Sequence, residues 1–86
     1  MSRINTAVLC EALFSSDLQA SVPLEPQRVR AAIRRAILVL GVRNCAAVVA
    51  QEFGDHPDAA VARMLWAKEA VCQAYAPALP SPEMTP

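Results

Sequence analysis

The chain is expected to fold as an all-α domain, and three observations lead there. Apolar residues recur at helical spacing in several stretches, separated by prolines and capping residues. Only two glycines, Gly41 and Gly54, occur in 86 residues, too few for a strand-rich fold with many tight turns. Hydrophobic residues make up 55% of the chain, and much of that is alanine, the strongest helix former but a poor filler of volume. A chain of this length makes one domain and buries only about 60% of its unfolded surface, so the core is expected to be thin.

Taken in order, "NTAVLCEALF" offers a cap at Asn5 or Thr6 and apolar Val8, Leu9, Ala12 and Leu13 at helical spacing. This predicts a short helix over about 6–14, although "AVLC" is equally compatible with an extended segment and tertiary contacts must decide. The stretch "SSDLQASVPLEP" reads as a loop anchored by Phe14, Leu18 and Leu24. The clearest helix is predicted over 26–40, with Pro26 in a tolerated first-turn position and Gly41 just past the end. Val29, Ile33, Ala36, Ile37 and Leu40 share its inner face, which spans roughly 100 degrees of the helix circumference. Arg28, Arg30, Arg34 and Arg35 occupy the other side, and Leu38 projects among them.

A second main helix is predicted over 44–53, capped by Asn44, lined inside by Cys45, Val48, Val49 and Phe53, and ended by Gly54. The third, over about 56–75, is predicted to be capped by Asp55, with Pro57 and Asp58 in its first turn and Pro77 closing it off. Its main apolar stripe is read as Val61, Met64, Leu65, Val71, Cys72 and Tyr75, with Lys68 snorkelling from within it. Trp66 points nearly the other way and needs a second surface, supplied either by the N-terminal segment or by another copy of the chain. The expected architecture is a small three-helix domain over 1–76, with 1–25 packing on it as an N-terminal segment, followed by a disordered proline-rich tail at 77–86.

Eight basic and eight acidic residues cancel, which argues against a polyanion binder held by overall charge. Locally the balance differs. Between Pro26 and Gln51 stand Arg28, Arg30, Arg34, Arg35 and Arg43 with no carboxylate among them. Three widely spaced cysteines, Cys10, Cys45 and Cys72, suggest neither a disulfide framework nor a zinc finger, and reduced thiols are expected. The N-terminus lacks a signal-peptide pattern, and every apolar run falls far below the roughly 18 residues of a membrane span, so a cytoplasmic protein is expected.

The single histidine, His56, lies between Asp55 and Asp58, which invites an acid–base or metal reading. General acid–base work needs a partner in reach and a pocket that excludes water, and metal binding needs ligands at local spacing. Neither signal is present, and capping of backbone amides accounts for the group more simply. Cys45 near a helix start could hold a stabilised thiolate, yet it lies on the inner stripe where cysteine acts as a small hydrophobe. Without a phosphate-cradling glycine loop or nucleotide motif, the expectation is no enzyme, no cofactor, no metal and no small-molecule substrate.

Two functions remain from different classes. A helix, a turn at Gly54 and a following helix match helix-turn-helix spacing, and Arg28, Arg34, Arg35, Arg43 and Arg63 could contact nucleic acid. Against it, the start of the recognition helix would carry Asp55 and Asp58, which repel phosphates, and only Arg63 is well placed there. The preferred reading is a non-catalytic protein-interaction or regulatory adaptor module, with a homodimer as one form, whose contacts are Arg34, Arg35, Leu38 and Trp66. Residues 45–67, "CAAVVAQEFGDHPDAAVARMLWA", together with "LFSSDLQ", resemble short alanine- and arginine-rich proteins of high-GC actinobacteria. The resemblance covers Leu13 to Ala74 and implies a cytoplasmic bacterial setting, with no activity or functional residues attached to it.

Overall fold

The computed structural model of the chain describes residues 6–75, which form four helices: α1 (Thr6–Ser15), α2 (Pro26–Leu40), α3 (Val42–Asp55) and α4 (Pro57–Tyr75). The all-α expectation holds. The proline-rich stretch 77–86, expected to be disordered, lies outside the described residues. No single helix among the described residues is long and apolar enough to cross a membrane.

The N-terminal segment whose pattern left helix and strand open is a helix, and it is central. α1 packs against each of the other three helices and buries Cys10, Ala12, Leu13 and Phe14. A helix surrounded on several sides should be apolar around most of its circumference, and "TAVLCEALFS" has only Glu11 as a charged residue. Tertiary packing therefore decided what local propensity could not. The loop that follows is anchored as expected, with Leu18 and Leu24 resting against the core.

α2 spans the predicted residues, with Pro26 in its first turn. Gly41 ends it by donating its N–H to Ile37 O at 2.9 Å, and it sits at φ 86°, ψ 155°, a region L side chains rarely enter. A Cβ there would meet nothing within 4 Å, so backbone conformation rather than crowding calls for glycine. The chain bends by 100° at this point, and α3 begins at once with Val42. Asn44 is thus not the cap of α3. Its side-chain amide turns back and donates to Leu40 O at 2.7 Å, closing the end of α2 instead.

α3 also runs further than predicted, passing through Gly54 to Asp55, and Gly54 has no positive φ. The break falls at His56, the residue before Pro57. Proline's ring disfavours the helical conformation in its predecessor, and His56 accordingly sits at φ −139°, ψ 68°. His56 N–H donates to Glu52 O at 2.7 Å, and its own carbonyl accepts from Ala60 N–H at 2.8 Å. One residue therefore ends α3 and opens α4, which removes Asp55 from the capping position it was expected to fill.

The buried face of α4 also differs from the predicted stripe. Ala60, Ala67, Ala70, Val71 and Ala74 face inward, while Val61, Leu65, Lys68 and Cys72 are exposed. Ala60, Ala67 and Ala74 recur every seventh residue, two turns apart, so their small side chains line one seam. Seven of the fourteen buried residues are alanines (12, 32, 36, 60, 67, 70 and 74), and among the described residues no polar side chain is fully buried. Larger groups pack around this seam: Leu13, Phe14, Val29, Ile33 and Val71 inside, with Met64, Trp66 and Tyr75 at its margin. Phe14 and Phe53 stack at 6.2 Å between centroids, joining α1 to the end of α3.

A fully buried alanine seam has no room for larger side chains. Ala67→Leu is expected to lower unfolding stability by about 1–3 kcal/mol through overpacking. Leu65→Ala, on the exposed face, is expected to change it by no more than about 0.5 kcal/mol. Urea unfolding followed by circular dichroism, with the slope unchanged, tests both.

Candidate interaction surface

The residues that suggested acid–base or metal chemistry stand apart from any cleft. Asp55, His56 and Asp58 are exposed on the α3–α4 corner. Among the described residues, no three of His, Cys, Asp or Glu gather closely enough to hold a metal ion. Cys10 and Cys45 are buried and Cys72 is exposed, all as free thiols. Burial pushes the Cys10 thiol above its ordinary value of 9.0, opposed by Lys68 and aided by Glu11 and Cys72. Burial also raises Cys45, against a smaller lowering through Ser15. The Cys45 Sγ lies 3.8 Å from Ala36 O. Both are packing groups held in the protonated form.

Arg63, the one basic residue placed for groove reading by the DNA alternative, is turned into the molecule. Its Nε donates to Phe14 O at 2.8 Å, and its Nη2 donates to Ser16 O at 3.1 Å and Leu18 O at 3.0 Å. The guanidinium lies 4.6 Å from the Trp66 ring centroid and 5.9 Å from that of Phe14. These carbonyls belong to the end of α1 and the residues after it, where helix carbonyls lack intrahelical partners and carry partial negative charge. Burial lowers the Arg63 pKa, and arginine stays charged regardless. Arg63 is consequently withdrawn from the set of nucleic-acid contacts.

Trp66, expected at a partner interface, belongs to the same internal group. It is half-buried against the core beneath Arg63, which supplies the second surface its position on α4 required. Its indole Nε1 is shielded from solvent and has no hydrogen-bond partner. Arg30 is likewise drawn in. It donates to Ala74 O and lies 5.8 Å from the Tyr75 ring centroid, fastening the end of α4 to α2. A single sequence gave no signal for either clamp, because each joins residues more than 40 positions apart.

What remains outside is the outer face of α2. Leu38 is 77% and Val39 73% exposed, and the adjoining Val42 at the start of α3 is also exposed. Arg34, Arg35 and Arg43 stand near them and Arg28 lies further back on the same helix as Arg34 and Arg35, all exposed. Arg34 and Leu38 are four residues apart, so they project from successive turns of one ridge. The only described ion pair in this region, Arg35 Nη1 to Asp17 Oδ2 at 3.4 Å, joins two largely exposed side chains and contributes little. Beside the ridge runs an open groove of about 360 Å³, floored by Leu9, Ile33 and Ile37 and bordered by Arg34, Leu38 and Tyr75. A second apolar ridge, Val61 and Leu65 on α4, went unrecognised as surface because large apolar residues at helical spacing usually mark the core.

Compared with protein-family models, curated proteins and solved structures, the chain gives no match. The class of this protein is accordingly defined by its fold alone: an all-α domain whose described residues form four helices around an alanine-rich core, with a basic and apolar outer face on α2.

The clamp and the thiols give separate expectations. Arg63→Met is expected to cost about 2–4 kcal/mol, because it strips donors from several carbonyls at once, and Arg63→Lys is expected to restore only part of it. Chemical unfolding of the three proteins measures this. Under native conditions Cys72 alone is expected to react promptly with a disulfide reagent, with Cys10 and Cys45 reacting only as the chain opens. Because both buried thiols hold their protons more tightly in the folded chain, their contribution is complete below pH about 9. It is expected to fade as the pH rises through the raised folded values, and an unfolding series across alkaline pH follows it.

Proposed function

We propose that this chain is a non-catalytic protein-interaction module that docks through the outer face of α2, where Arg34, Arg35 and Leu38 stand together. The carrying observation is the exposure of Leu38 and Val39 among arginines on one helix. Isolated exposed apolar residues are ordinary, whereas adjacent ones inside a charged rim have the composition of an interface: an apolar anchor that water leaves, ringed by groups that set orientation. The groove alongside gives such a contact depth.

Nucleic-acid binding draws support only from Arg28, Arg34, Arg35 and Arg43. Its helix-turn-helix basis is weakened, since a single residue, His56, separates α3 from α4 where that motif has a turn of three or four. Exposed leucine and valine also contribute nothing to phosphate contact.

Leu38→Glu is the direct test. Leu38 makes little use of the core, so the variant is expected to melt like the native chain while losing about tenfold or more in affinity for its protein partner. Native mass measurement of the purified chain, alone and with co-purifying protein, reads the loss. Unchanged association in Leu38→Glu would remove the reading.

A further inference from the structure

We infer that the occupant of the α2 face is a second copy of this chain, contributed through the Asp58–Val61–Leu65 ridge of α4; this rests on the interaction reading above and gives it a partner. Among the described residues the large exposed hydrophobics are Leu38, Val39, Val42, Phe53, Val61 and Leu65. Phe53 already stacks on Phe14. The other five divide between two ridges, one at the junction of α2 and α3 and one on the first half of α4.

Opposite charges border these ridges. Arg34 and Arg43 stand beside Leu38, Val39 and Val42, with no carboxylate between Pro26 and Gln51, and Arg35 next to them meets, among the described carboxylates, only the exposed Asp17, at 3.4 Å. Beside Val61 and Leu65 the exposed charges are Asp55 and Asp58, and the one cation in this stretch, Arg63, is committed to the end of α1. Asp58, Val61 and Leu65 are spaced three and four apart and therefore line one side of α4. A turn further on, Lys68 and Glu69 are both exposed and offset each other.

Each ridge thus has what the other lacks. Val61 and Leu65 can enter the groove of about 360 Å³ beside Leu38, with Asp58 and Asp55 reaching Arg34 at its edge. The chain's zero net charge, with eight residues of each sign, is then a self-complementary arrangement of unlike patches. Because the two ridges differ, the contact closes as a two-fold dimer only where each copy gives its α4 ridge to the other; made once per copy, it is heterologous and runs head to tail into a ring or filament.

The experiment is sedimentation of the full chain over a range of concentration and salt. The native chain is expected to gain mass with concentration, and to lose it as salt is raised from about 0.05 M to about 0.5 M and the screening length shortens. The variants Arg34→Glu/Arg35→Glu and Asp55→Lys/Asp58→Lys are each expected to be monomeric, and an equal mixture of the two is expected to associate again. The pair Leu38→Glu and Leu65→Lys repeats the cross without touching a helix end, with circular dichroism reporting that each variant folds.

Association that survives in both charge-reversed variants, or that mixing fails to restore, overturns the proposal. A native chain that stays monomeric up to about 1 mM, the weak end of specific recognition, overturns it as well. In that last case the interaction reading stands if a different protein binds and Leu38→Glu loses it, and falls with this one if nothing does.

Discussion

The architecture depends on how helix ends are satisfied. In none of the four described helices does the last turn contain a basic residue of its own. The unpaired carbonyls at a helix C-terminus still need donors, and here other helices supply them. Arg63 of α4 serves the end of α1, Arg30 of α2 serves the end of α4, and Asn44 of α3 serves the end of α2. Ser15 of α1 completes the circuit by donating to Cys45 O of α3 at 3.1 Å. Every helix gives a side-chain hydrogen bond to the backbone of another, and the four gifts form a closed ring. Local capping would stabilise each helix separately, whereas this arrangement makes the ends of α1, α2 and α4 contingent on the assembled bundle.

That contingency matters because the apolar core is small. An alanine buries far less surface than a leucine, and half of the buried residues here are alanines. Small side chains let helices come close, which gains dispersion contacts between backbones but leaves little volume to drive collapse. The Arg63 cluster compensates at one end of α1 by combining hydrogen bonds with stacking. Its guanidinium bridges Phe14, Trp66 and three carbonyls of α1 and the loop, so one side chain fixes the register of α4 on α1. The unpartnered Trp66 Nε1 is the residual cost of placing an indole beneath it.

Some of this was legible in the sequence and some was not, for reasons that differ by residue. α2 was readable from end to end because Pro26 and Gly41 act through their own backbones. At the next corner two such signals compete: Gly54 permits a break, but Pro57 imposes one on the residue before it, and the helix ends at His56. The buried side of α4 was misread because periodicity weighs size, and in "PDAAVARMLWAKEAVCQAY" both the alanines and the larger residues are apolar with helical spacing. Only the proximity of α1 decides which side is covered. Arg63 and Trp66 were assigned to the outside because an arginine and a tryptophan on a helix resemble an interface until the carbonyls of Phe14 and Leu18 are in place. Leu38, Arg34 and Arg35 were placed correctly as surface, since α2's inner face was already filled by better candidates.

The internal clamps also shape what the surface can do. Arg30 and Arg34 lie one turn apart on α2 and border the same groove, yet Arg30 is held by Ala74 O while Arg34 is left exposed at the edge. Committing Arg30 and Arg63 to helix ends takes a cation from each of α2 and α4, with opposite consequences. α2 retains Arg28, Arg34 and Arg35, so its outer face stays basic. α4 loses its only positive charge before Lys68, so its first half presents Asp58 without an offsetting cation. A neutral chain is thereby divided into patches of opposite sign by the same bonds that hold its helices together. The alanine seam adds the apolar component: by occupying the inner face of α4 it leaves Val61 and Leu65 outside, next to the acidic charge. The surface that any partner meets is therefore a by-product of how a thin core is made stable, and altering the clamps would change the outside of the molecule as well as its stability.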